Sequence, residues 1–265
     1  MNCVKNILKA GICLLVGKKN YHRIVIRHWV KKLSKPEYDE NHINILRKIV
    51  VPGSTCVDVG ANMGQYTVKL AQLVGEDGMV FSFEPVGETY KLLKTIIGKF
   101  GFNNVESYNL GLGKTKEKLP ISIPSYFGVP LLGLSHVRHL SSEKTKSTQE
   151  FVEFECLDNL KLGNSIISLI KIDVEGFEYN VIQGAKDTLI KHRPVLLIEI
   201  DPSMNSRLGL DASKTVSTLN ADNYEMYVLD ETKLCIKYDL VPGEVMYYFV
   251  PKEKSGIVKI INSSD

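Results

Sequence analysis

Ser54-Thr-Cys-Val-Asp58-Val-Gly60-Ala-Asn62-Met-Gly64-Gln-Tyr66 is the stretch on which the fold turns. Its first half is a short, β-branched apolar run of the kind found in strands buried on both faces, and such strands belong to parallel sheets covered by helices. The run closes on Gly60, and Gly64 follows four residues later. Beyond the glycines the apolar residues switch to helical spacing, with Tyr66, Val68, Leu70, Ala71 and Val74 recurring over residues 63–74 until Gly75 stops the helix.

The same alternation continues outward. Residues 79–83 read as a second strand, residues 90–100 as a helix with Leu92, Leu93, Ile96 and Ile97 inward, and residues 105–110 as a third strand. Further on, 166–174 and 194–200 are nearly continuous apolar strands, separated by a helix over 179–190 with Val181, Ile182, Ala185 and Leu189 inward. A helix over 213–219 precedes strands at 225–229 and 245–250, which fit a terminal antiparallel hairpin. This pattern predicts a doubly wound α/β domain with a mainly parallel seven-stranded sheet over residues 51–265, capped by helix in residues 1–50. Residues 114–149 break the rhythm with Pro120, Pro124 and Pro130; they leave room for a hairpin, because 118–123 and 151–156 both alternate apolar and polar. No internal repeat and no second core is expected.

Composition narrows the function. The 265 residues are 44% hydrophobic and 24% charged, which excludes disorder. A net charge of +3 is too small for a phosphate-neutralising surface, so no nucleic-acid partner is expected. The five cysteines are odd in number, lie far apart and form no Cys-x-x-Cys pair, which predicts reduced thiols in a cytoplasmic protein, with Cys56 a small buried hydrophobe and no zinc site. The apolar stretch 7–17 is shorter than the ~20 residues a bilayer requires and lacks the features of a signal peptide. Lys18, Lys19, His22, Arg23, Arg27, Lys31 and Lys32 follow it, interleaved with Ile24, Val25, Trp29, Val30 and Leu33. That pattern is a basic amphipathic helix, which packs on the main domain or rests on an anionic membrane surface.

In a doubly wound sheet, ligands bind outside the carboxyl ends of the strands. There, Gly60 and Gly64 permit close backbone approach, and the next helix presents free N–H groups to an anion; the bland reading is a bare turn. The spacing is not G-x-G-x-x-G, and no Lys-Ser or Lys-Thr pair follows, so dinucleotide pyrophosphate and P-loop readings are both disfavoured. Glu84, at the end of the second strand, lies 24 residues after Gly60, where a carboxylate accepts hydrogen bonds from both ribose hydroxyls. The fourth strand ends in Lys171-Ile-Asp173-Val-Glu175-Gly176, whose three charges fall on one side by strand alternation. Such charges are costly unless paired or at a site; the bland reading is a structural Lys171–Asp173 ion pair. Glu199 brings another carboxylate from the fifth strand.

Taken in order, Asp58–Tyr66, Phe83-Glu84-Pro85, Leu157-Asp158, Lys171–Gly176 and Pro194-Val-Leu-Leu-Ile-Glu199 resemble the FkbM family of S-adenosylmethionine-dependent methyltransferases. The resemblance implies a class I methyltransferase, Rossmann-like fold that binds S-adenosylmethionine through Asp58, Gly60, Ala61, Asn62, Gly64, Tyr66, Glu84, Pro85 and Asp173. It further implies transfer to a hydroxyl of a small molecule or glycan, with Asp173 and Glu175 where donor meets acceptor. A hydroxyl acceptor needs a base, for which Asp173, Glu175 and, from the irregular segment, His136 or His139 are the candidates. A divalent metal on Asp173 with Glu175 or Glu199 is the alternative device, against which the Lys171 charge argues. Residues 126–149 are expected to hang over the strand ends as a lid on the acceptor. The rival readings are a non-catalytic adenosyl-ligand-binding or scaffold protein on the same fold, and a nicotinamide oxidoreductase, which the glycine spacing disfavours.

Overall fold

In a computed structural model of the protein, residues 2–35, 40–130, 136–137, 147–163 and 165–263 are described. Three helices lead, α1 (Asn2–Val16), α2 (Lys18–Leu33) and α3 (Glu40–Ile49), followed by β1 (Thr55–Val59), α4 (Gln65–Val74), β2 (Met79–Phe83), α5 (Gly87–Phe100) and β3 (Val105–Tyr108). A run of strands comes next: β4 (Gly111–Leu112), β5 (Glu117–Tyr126), β6 (Val129–Pro130), β7 (His136–Val137) and β8 (Ser147–Glu155). The winding resumes with β9 (Ile167–Ile172), α6 (Glu178–Gln183), α7 (Lys186–His192), β10 (Val195–Glu199), α8 (Pro202–Arg207) and α9 (Ser213–Ala221). It closes with β11 (Tyr224–Asp230), β12 (Lys233–Lys237), β13 (Met246–Pro251) and α10 (Gly256–Ser263).

The main sheet has the order β12-β11-β13-β10-β9-β1-β2-β3. Its five strands from β10 to β3 pair in parallel, and β13, β11 and β12 join antiparallel. The chain steps outward from β1 through β2 to β3, then returns to the far side of β1 with β9. The carboxyl ends of β1 and β9 therefore flank the point where the winding reverses, which is where a crevice opens in such sheets. Successive residues of β1 serve opposite faces: Val57 and Val59 pack in one core, Cys56 in the other.

Two expectations need correction. The sheet has eight strands and not seven, because Lys233-Leu-Cys-Ile-Lys237 forms an edge strand too short and too charged to register as a buried one. This strand makes the tight hairpin with β11, while β13 slides between β10 and β11. The helix read over 179–190 is also two helices. It breaks at Gly184, where an added Cβ would stand 1.9 Å from the Gly113 carbonyl oxygen, and Asp158 restarts it by accepting the N–H groups of Asp187 and Thr188.

The irregular middle segment holds the expected hairpin, with β5 and β8 antiparallel from Glu117 opposite Phe154 to Pro124 opposite Ser147. It is part of a small second sheet, with a core of its own formed by Val86, Ile121, Ile123, Val152 and Phe154, which the sequence reading did not anticipate. At the N-terminus, α2 docks with Leu33 fully buried and Val25, Trp29 and Val30 against Met63, Val68, Leu92 and Ile96. Ile43, Leu46 and Ile49 of α3 enter the main core beside Val258 and Ile261 of α10. No described helix is long and apolar enough to cross a membrane.

Gly60 is where this frame is tightest. Its φ is +77°, and an added Cβ would stand 1.8 Å from the Asp173 carbonyl oxygen, so the turn after β1 lies directly on the end of β9. Gly60→Ala is expected to lower the unfolding free energy by ~2–4 kcal/mol, read as a reduced urea midpoint at unchanged slope.

Candidate active site

Beneath the crevice lies a buried charge cluster. Asp58 and Lys171 are register partners on β1 and β9, 0% and 3% exposed, with Lys171 Nζ 3.7 Å from Asp58 Oδ1. The ammonium reaches Asp173 Oδ2 at 3.1 Å and the Gly60 carbonyl at 3.5 Å, and stands 5.1 Å from the centre of the Tyr66 ring. The Thr67 hydroxyl donates to the other Asp58 oxygen. Burial pushes the Asp58 carboxyl up while Lys171 and Thr67 pull it down; burial works against the Lys171 charge, and Asp173 and Asp58 outweigh it, leaving Lys171 raised. The Lys171–Asp173 ion pair, the bland alternative to a site in the sequence reading, is thus present within a larger cluster.

Above it, Gly60, Asn62, Glu84, Pro85, Asp173, Glu175 and Glu199 line one cleft, walled by Ile121, Val137, Phe154 and Phe177. Glu84 is fixed from both sides: Asn62 N–H donates to one oxygen at 3.0 Å and Val86 N–H to the other at 2.9 Å. Burial pushes its carboxyl up to about 7. Asn62 holds φ +50°, a left-handed conformation that Asn tolerates, and its buried side-chain oxygen has no hydrogen-bond partner among the described residues. Glu175 and Glu199 are each held up at about 7, first by burial and then by the Asp173 carboxylate.

Asp58, Ala61, Gly64 and Tyr66 are not in the cleft lining but stand behind it. Asp58, Ala61 and Tyr66 are buried, and Gly64 (φ +81°) would bring a Cβ within 2.9 Å of Leu93 on α5, so it serves helix packing. His136 lies in β7 opposite Ser122 of β5, while His139 and residues 131–135 and 138–146, the greater part of the expected lid, fall outside the described residues. Among the described residues, no group of three or more His, Cys, Asp or Glu side chains is arranged to hold a metal ion.

Sequence reasoning missed the support beneath Glu175. Glu178, 1% exposed, accepts the Gly176 N–H at 2.7 Å and the Asn205 side-chain amide at 3.0 Å; Asn205 also donates to the Gly176 carbonyl at 2.9 Å. This brace holds the turn in which Glu175 adopts φ +53°. A glutamate at the first position of a helix ordinarily reads as a dipole partner, and Asn205 arrives from 27 residues downstream.

A doubly wound sheet with an antiparallel far edge, a glycine turn after the first strand and a carboxylate ending the second define a class I methyltransferase fold. The chain belongs to the methyltransferase FkbM domain family, whose model matches residues 58–226. Among solved structures, it is similar to a methyltransferase FkbM from Methylobacillus flagellatus, at 14% identity and TM-score 0.47, over 81% of this chain and 50% of that one. It is also similar to a SAM-dependent O-methyltransferase from Thermotoga maritima (15% identity, TM-score 0.43, 80% of this chain and 64% of that one). A third is an O-methyltransferase from Bacillus cereus in complex with SAH (13%, 0.45, 81% of each chain). The chain therefore spans half the length of the first of these and 64% of the second. Comparison with curated proteins gives no match.

The raised glutamates carry a stability signature. A glutamate ordinarily loses its proton near 4.5, but Glu199 keeps its proton to about 7 in the folded protein. The folded state therefore binds more protons between those values, and stability falls as pH rises through that window. Glu199→Gln is expected to melt near wild type at pH 4.5 and roughly 2–4 °C above it once pH passes 7, checked by thermal melts across that range.

Proposed function

We propose that the protein is an S-adenosylmethionine-dependent methyltransferase acting on a hydroxyl of a small molecule or glycan. The observation that carries this reading is Glu84, buried at the end of β2 with each carboxylate oxygen fixed by one backbone N–H. Each oxygen retains a lone pair, and together they match the two hydroxyls of a ribose. The other residues fit the same ligand. Asn62 offers an unpartnered oxygen, and a cleft ringed by Glu84, Asp173, Glu175 and Glu199 favours a cationic ligand such as a sulfonium. When bound, S-adenosylmethionine supplies a methyl group activated by the sulfonium charge.

The chain's own part is to align and to take a proton. The turn over Asp173 holds the cofactor face of the cleft, with Lys171 anchoring the Asp173 carboxylate at 3.1 Å so that it orients and does not swing. Glu175, held at about 7 and braced through Glu178 and Asn205, accepts the hydroxyl proton as the oxygen attacks in line. The acceptor enters beside Ile121, Val137 and Phe154.

Titration calorimetry with S-adenosylmethionine, S-adenosylhomocysteine and NAD tests the cofactor; tight binding of NAD alone overturns the proposal. Glu84→Gln sets an amide NH2 against one of two backbone donors, and it is expected to weaken S-adenosylhomocysteine binding by ~1–3 kcal/mol. An unchanged dissociation constant removes Glu84 from the ribose. For the base, transfer at limiting concentration of a labelled methyl donor to a panel of hydroxylated glycans and small molecules should rise as pH passes about 7 and then level, because only the ionised Glu175 accepts a proton. Glu175→Gln is expected to cut that rate by roughly 10²–10⁴ and to remove the rise, with S-adenosylhomocysteine affinity retained.

A further inference from the structure

Helix α1 leaves an apolar face without a protein partner among the described residues. Among its described side chains, Ala10 and Cys13 are the buried ones, packing with Val129 of β6 and Tyr21 of α2. Leu8 and Leu15, two turns apart on the same side, are 64% and 87% exposed, and Leu14 beside them is 60% exposed. Exposed leucines clustered on one helix face mark a contact surface. The apolar side of α2, by contrast, is taken up by the domain through Leu33, Trp29 and Val30.

Charge says what covers this face. Residues 1–36 hold nine of the 33 Lys and Arg and none of the 30 Asp and Glu, so the other residues carry 24 basic side chains against 30 acidic ones. The near-neutral total conceals a strongly basic N-terminal hairpin on an acidic body. Lys18 and His22 turn to Glu88 of α5, whereas Lys9, Lys19, Arg27 and Lys31 are exposed on the hairpin. A second copy of the chain would bring two such basic hairpins together, which like-charge repulsion opposes. Anionic lipid satisfies both features at once, the leucines entering the acyl boundary and the lysines and arginines meeting the headgroups. At 1.5 Å per residue α1 is about 22 Å long, short of the ~30 Å hydrocarbon core, and Lys9 interrupts it, so it lies in the plane of the surface.

We propose that α1 docks the protein on an anionic bilayer, with Leu8, Leu14 and Leu15 inserted and the basic residues of the α1–α2 hairpin at the headgroups. Flotation of the full chain with vesicles of phosphatidylcholine, alone or mixed with phosphatidylglycerol, tests this. The protein is expected to float with the mixed vesicles and not with phosphatidylcholine alone, and added salt should weaken the binding. Leu8→Gln with Leu15→Gln should reduce partitioning roughly tenfold or more. Lys19→Glu with Arg27→Glu, on an independent set of exposed positions, should reduce it as well, with thermal melts of both double variants matching wild type. Failure of the wild-type protein to float with the mixed vesicles overturns the proposal, as does undiminished binding of the leucine variant. A dimer in solution that the leucine substitutions dissolve, without vesicle binding, assigns the face to a second copy and overturns it too.

Discussion

The interaction on which the rest depends is the buried ammonium of Lys171, held between Asp58 on one strand and Asp173 just past the end of the neighbouring one. Removing one member of such a cluster leaves an uncompensated charge in the interior, at a cost of ~3–5 kcal/mol. The geometry around it follows. β1 and β9 sit in register with Asp58 opposite Lys171, the Gly60 turn lies on the Asp173 carbonyl, and the Tyr66 ring stands against the ammonium. Two strands distant in sequence are tied at the ends where the winding reverses, and the crevice opens above the tie.

The crevice itself is an excess of carboxylates in a partly dry setting. With the Lys171 ammonium already engaged by Asp58 and Asp173, Glu84, Glu175 and Glu199 keep their protons to about 7. A cationic ligand arriving there would favour their ionised forms, so ligand binding and proton release are coupled. The cost of keeping these groups buried is carried by a frame of backbone hydrogen bonds, from Asn62 and Val86 to Glu84 and through Glu178 and Asn205 to the turn beneath Glu175.

The two additions to the winding serve different sides of this centre. The small sheet of β4, β5, β6, β7 and β8 walls the cleft through Ile121, Val137 and Phe154, placing an apolar surface beside the acidic one. The N-terminal hairpin instead packs through α2 on α4 and α5 and leaves Leu8, Leu14 and Leu15 of α1 exposed.

By itself the sequence determined the winding and the place of the site, because strands buried on both faces must be continuously apolar, and a glycine or charge at their carboxyl ends stands out against that background. Asp58, Gly60, Glu84, Asp173 and Glu199 were legible for this reason. The tertiary structure alone decided which of these residues face the cleft. Gly64 turned to Leu93, Asp58 to the buried ammonium and Asn62 to the cleft, although all three lie within seven consecutive residues at the end of β1 and in the turn after it. It also decided the break of one helix into α6 and α7, the charged edge strand β12, and the Glu178–Asn205 brace. Each of these rests on partners brought together from distant points of the chain, and periodicity and local spacing carry no record of such contacts.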